Sequence, residues 1–170
     1  MILSFTAEQA QREIAQLSDL LIDAVDSGAS VGFMPPLARA EAEAYWQSVI
    51  DAMREGSRVL LAAMEEGIVQ GSVQLQLEMR ANGNHRAEAM KLFVHRRARR
   101  RGIARALMHE AESHAGNLGR SLLLLDTRKG GDAHRLCEAL GYISFGEVPG
   151  YARSADGRLH TTVFFYKQLL

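Results

Sequence analysis

Two acids on apolar strands and a dense run of arginines are the residues of this chain whose types and spacing could do chemistry. In "VHRRARRRGIARAL", Val94 to Leu107, five arginines fill the six positions from Arg96 to Arg101, and Gly102 then opens a helical pattern. Lys91, Arg96, Arg97, Arg99, Arg100, Arg101 and Arg105 lie within fifteen residues that contain no acid. Backbone amides at a helix start are unsatisfied and carry the positive end of the helix dipole, so a phosphate binds there. Gly102 and the small Ala104 let a ligand approach the backbone, and arginines add charge-assisted bonds. A solvated basic helix cap would use the same residues, and spacing alone does not separate the two readings. Nucleic acid fits less well, because aromatic residues are 6% of the chain and no recognised reading motif is interleaved with the run.

Glu88 lies on the strand that leads into the arginines. Asp126 ends the apolar stretch "SLLLLD", where open α/β sheets tend to bind their ligands. Carboxylates so placed could hold an ammonium group or take a proton from it. The competing roles are an exposed hairpin charge for Glu88 and the N-terminal cap of the following turn or helix for Asp126. His95, beside the arginines, reads as a surface residue, and no His, Asp or Glu spacing suggests a metal.

The elements that must position these residues follow from periodicity. The chain has 170 residues, 47% hydrophobic, which suits a single globular domain over residues 1–170. Lys and Arg number 20 and Asp and Glu number 20, so no general attraction to polyanions is expected and the positive charge is local. Cys137 is the only cysteine, which excludes an intrachain disulfide and points to a reducing compartment. Neither a signal peptide nor an apolar run of about eighteen residues is present, so a soluble, cytoplasmic protein without membrane contact is expected.

A strand over Ile2 to Phe5 precedes Thr6, which with Gln9 makes a capping box for one helix reaching about Asp26. After the apolar loop "SGASVGFMPP", a second helix runs from Ala38 to Arg54 with Trp46 facing the core. Three antiparallel strands follow: two around Glu66-Gly67 and a third, "HRAEAMKLFVH", after an Asn82-Gly83 turn. Then come a helix from Gly102 to Leu118, the strand "SLLLLD", a short helix near Asp132 to Leu140, and strands around Ile143 to Glu147 and His160 to Lys167. The order predicts an α/β architecture, a mixed and mostly antiparallel sheet of about seven strands with about four helices on its two faces.

"KLFVHRRARRRGIARALMHEAE" resembles the acetyl-CoA site of GNAT-superfamily N-acetyltransferases, in which a strand ending in hydrophobic-x-Val is followed by [Q/R]-x-x-G-x-[G/A]. "AHRLCEALGY" resembles the next helix of that fold, and "GASVGFM", "NHRAEAMKLFV", "LLLLDT", "GEVPGY" and "DGRLHTT" are similar to tabtoxin-resistance acetyltransferases within it. The resemblance implies the GNAT fold, splayed between the fourth and fifth strands, and transfer of an acetyl group from acetyl-CoA, the co-substrate, to a small-molecule amine. That amine would be amino-acid-like, in the manner of tabtoxinine-β-lactam.

By this resemblance the backbone of Leu92, Phe93 and Val94 pairs with the pantetheine arm. The loop of Arg99, Arg100, Arg101, Gly102, Ile103, Ala104 and Arg105 holds the pyrophosphate. Asp126 and Glu88 act on the ammonium, with Phe33, Met34 and Tyr151 lining the acceptor site. The sequence departs from the family at Cys137, where a tyrosine usually stands as general acid toward the CoA sulfur. The thiol then becomes the candidate acid, with Tyr142 and Tyr151 as substitutes. Members often pair through their last strands, which implies a homodimer. A protein or peptide amine as acceptor, or an acetyl-CoA-binding module without catalysis, are the competing functions.

Overall fold

In the computed structural model, which describes residues 1–169, seven strands form one sheet in the order β1-β2-β3-β4-β5-β7-β6. The strands are β1 (Ile2–Phe5), β2 (Arg58–Glu65), β3 (Ile68–Leu77), β4 (Arg86–Val94), β5 (Leu122–Arg128), β6 (Ile143–Arg153) and β7 (Leu159–Gln168). The helices are α1 (Ala7–Arg12), α2 (Ile14–Asp26), α3 (Arg39–Arg54), α4 (Ile103–Asn117) and α5 (Asp132–Ala139). Leu17, Leu20, Leu21, Trp46 and Ile50 pack α1 to α3 on one face, and Leu107, Met108 and Ala111 with Cys137 and Leu140 pack α4 and α5 on the other.

Five helices replace the expected four because the first breaks at Glu13, whose φ of −95° and ψ of 12° leave the helical range. The capping box of Thr6 and Gln9 starts it as expected, with bonds of 3.2 and 2.8 Å. The break coincides with Gln16, which bonds Glu13 at 2.7 Å and the Val69 amide at 2.9 Å, so a tie to β3 accompanies it.

One defect in the sheet decides where a ligand could enter. β4 and β5 run parallel and pair only from Arg86–Leu122 to Glu88–Leu124. Beyond that the two strands have no register partners on their facing edges, which is the expected splay. On its other side β4 carries a bulge: Gln74 pairs Met90 and Ser72 pairs Phe93, so three steps of β4 match two of β3. Lys91 absorbs the extra residue at φ 54°, a left-handed conformation rare for a side-chain-bearing residue.

Alternation along the strands then sorts the side chains. Ala87, Ala89, Leu123 and Leu125 enter the core under α4. Glu88 faces the other way, in one row with Arg58, Gln76 and Leu124. Among the described residues no helix is long and apolar enough to cross a membrane.

Candidate active site

The arginine run does less and more than the sequence suggests. A single 3-10 turn, Arg96–Ala98, separates β4 from the loop. Arg96 turns away to Asp23 on α2 through its backbone amide, at 2.9 Å, and its guanidinium. Arg97 reaches Gln70 at 3.4 Å, and Arg99 donates to the Val94 carbonyl at 3.0 Å and to Ser27. Arg101 forms an ion pair with Glu65 at 2.5 Å, about half exposed on both sides. Among the described residues only Arg100 and Arg105 of the loop make no side-chain hydrogen bond or ion pair. Most of the run therefore ties the loop to α2, β2 and β3.

The backbone makes the cradle. Arg100 at φ 61° and Gly102 at φ 79° flank Arg101, and such alternation turns successive amides toward one concavity. Gly102 caps α4 without a side-chain bond, and Ala106 makes the first bond of the helix, to the Gly102 carbonyl at 3.0 Å. The amides of Ile103, Ala104 and Arg105 at the head of α4 are thus the donors that an anion requires.

Across the splay lies a group of charges, with Glu88 and Lys91 half-buried and Asp126 more exposed. Glu88 is pushed above the usual carboxylate range by burial and by Asp126, against Arg58 and Lys91. Asp126 is raised by burial against Lys91. Burial lowers Lys91, while Asp126 and Glu88 hold its charge and Arg58 opposes it. Among the described residues neither carboxylate makes a side-chain hydrogen bond or an ion pair. Carboxylates raised above their ordinary range and left without partners mark sites that work on a ligand.

Asp126 lies within β5 and pairs with Phe164 of β7, while Gly131 caps α5, so Asp126 is not a helix cap. Nor is Glu88 an exposed hairpin charge: it lies between Gln76 and Leu124.

The expected acceptor residues divide. Phe33 meets Tyr45 edge to face at 5.2 Å and lies 5.8 Å from the Lys91 ammonium, so it joins the charged group. Tyr151 packs edge to face on Phe164 at 5.4 Å, which brings it to the Asp126 end. Met34 stays 45% exposed. Cys137 is the buried residue of α5, on the opposite face of the sheet, its thiol pushed up to about 12 by burial. Tyr142 is buried in the same core, its hydroxyl also driven upward by burial and then by Glu112.

Lys91, Tyr45, Arg58 and Gln74 were not expected here. Tyr45 and Gln74 share a hydrogen bond of 2.9 Å, and Arg58 donates to Gln74 at 2.6 Å. The signal was Gln74 itself, a fully buried amide in a central strand. A polar residue there needs partners on the same face.

The comparisons with known proteins bear on this arrangement directly. The model of the acetyltransferase (GNAT) family matches residues 22–142, which span β4, the cradle and β5. The chain belongs to the GNAT family. It is 34% identical over 119 residues, 69% of each chain, to an uncharacterised N-acetyltransferase of the hisH-hisA intergenic region of Azospirillum brasilense. Its fold matches a ribosomal-protein-alanine N-acetyltransferase of Brucella melitensis, with a TM-score of 0.82 at 23% identity over 99% of both chains. It also matches a phosphinothricin acetyltransferase of Sinorhizobium meliloti solved with acetyl-CoA, with a TM-score of 0.79 at 20% identity over 99% of this chain and 88% of that one.

As a GNAT enzyme the protein is an N-acetyltransferase, and acetyl-CoA is the co-substrate of its homologues. The free amides of the GNAT cradle and the opening after Glu88 suit an extended pyrophosphate-bearing ligand. Among the described residues no cluster of three or more His, Cys, Asp or Glu could hold a metal.

Proposed function

We propose that the protein transfers the acetyl group of acetyl-CoA to the amine of a small amino-acid-like molecule by direct attack, with a toxin such as tabtoxinine-β-lactam as a candidate acceptor. The observation that carries this reading is the pair of carboxylates flanking the splay, the half-buried Glu88 and the more exposed Asp126, neither of which has a partner among the described residues. An amine of pKa about 10 arrives as ammonium at neutral pH and must lose a proton before it can attack. Asp126 holds the ammonium and accepts that proton, with Glu88 assisting through water. Their upward shifts suit the role, because a base works best near the pH at which it operates.

Acetyl-CoA, when bound, supplies an activated acetyl thioester. The amides of Gly102, Ile103, Ala104 and Arg105 hold its pyrophosphate, with Arg99, Arg100 and Arg101 around it. The backbone of Leu92, Phe93 and Val94 aligns the pantetheine arm, and a strand amide near Phe93 or Val94 donates to the carbonyl oxygen. Phe33, Met34 and Tyr151 border the acceptor. A homodimer joined through the last strands would cover β6, where Ile143, Phe145 and Tyr151 are each more than half exposed.

The test is CoA release from acetyl-CoA against free amino acids, tabtoxinine-β-lactam, polyamines, aminoglycosides and short peptides. Release with an amino-acid-like amine is expected. Release with peptides alone, or with no amine while acetyl-CoA still protects the protein from heat, would replace this reading.

A further inference from the structure

We infer that Lys91 is the specificity-determining residue of the acceptor site and selects an amine that carries a carboxylate beside it. The inference rests on the acetyl-transfer reading above and names what the acceptor must carry. The bulge in β4 turns Lys91 out of the ladder at the strand opening. Its ammonium, which has three protons to donate, makes one hydrogen bond among the described residues, to the Val31 carbonyl. The rings of Phe33 and Tyr45 lie 5.8 and 5.9 Å away. Gly32, at φ 85°, brings the loop so near that a Cβ there would stand 3.1 Å from the Lys91 nitrogen. The cation is therefore held in place by the loop while part of its bonding capacity stays unused.

What it faces decides the ligand. Glu88 and Asp126 both act on the Lys91 charge, yet among the described residues Lys91 lies within 4.0 Å of no carboxylate oxygen. A cation held by the loop and two carboxylates near enough to act on its charge, none of them paired with another among the described residues, offer a ligand contact points of opposite sign. An α-amino acid presents an ammonium and a carboxylate joined through one carbon, which matches contact points of opposite sign. Charge balance argues the same way: Lys91 and Arg58 already offset Glu88 and Asp126. A zwitterion preserves that balance, whereas a simple amine adds an uncompensated positive charge to a half-buried site.

The test is calorimetric binding of the panel's amino acids, each beside the amine that lacks its carboxylate, to the CoA complex of the wild type and of Lys91→Met and Lys91→Arg. Met inherits the same left-handed backbone as Lys, so the two proteins carry similar strain there. The wild type is expected to favour the amino acid by about tenfold or more, the scale of a charge-assisted bond. Lys91→Met should erase the preference by weakening the amino acid alone, and Lys91→Arg should keep it, with CoA affinity unchanged in both. Equal binding of acid and amine by the wild type, a preference that survives Lys91→Met, or no amino acid bound at all would overturn the inference. CoA release is read separately: amino acids bound with the expected preference but never acetylated would overturn the proposed function and leave the role of Lys91 standing.

Discussion

Cys137 stands where the resemblance read from the sequence implies a tyrosine, and magnitudes decide what its thiol can do. Burial pushes it up to about 12, so it carries its proton at neutral pH. A CoA-like thiolate has a pKa of roughly 8.5, so giving it that proton runs uphill by about three units or more. The residue is 2% exposed and packs among apolar neighbours, which is the work of a small core filler. Cys137→Ala should therefore cost about 1 kcal/mol of stability in chemical denaturation and leave kcat within a few-fold; a drop of a hundredfold would make the thiol the acid. Glu88 and Asp126 were legible in the sequence because an acid on an apolar strand is conspicuous. Lys91 was not, because its role comes from a bulge that moves it off the strand alternation, and a bulge leaves no period of its own.

At the scale of elements, the ligand cradle depends on how α4 begins. Gly102 has φ 79°, and a Cβ there would meet nothing within 4 Å, so the cost of a side chain is conformational alone. Gly102→Ala should destabilise the protein by about 1 kcal/mol and raise KM for acetyl-CoA while leaving KM for the acceptor unchanged, as initial-rate kinetics would show. A change confined to the acceptor would place the cradle elsewhere. The strands and helices flanking the site were legible from their periods, since each has one face in a core. β6 was legible only as far as Glu147: it runs on to Arg153 through Pro149 and Gly150, residues that ordinarily favour a turn. An edge strand tolerates them, and the register slips between Val148 and Ala152. The break at Glu13 was equally invisible, because Gln16 makes its bonds to Gly67 and Val69, more than fifty residues away.

For the molecule as a whole, the site is a region of stored cost between two cores. The two carboxylates sit above their ordinary pKa, so folding disfavours their ionised form. For such groups the favourable contribution is complete below the ordinary carboxylate pKa of about 4 and is lost as pH rises through the raised folded value. Asp126→Asn removes that loss. Its Tm should exceed that of the wild type at pH 7, and the difference should close as the pH falls toward 4; a lower Tm at pH 7 would show that the ionised Asp126 supports the fold. Stability gained where activity is lost is the expected signature of a functional site. The same variant gives the most direct test of the account, the initial rate of CoA release with the best amino-acid-like amine of the panel. The account predicts that Asp126→Asn lowers this rate by about a hundredfold or more, the range of a lost general base, and an unchanged rate would contradict it.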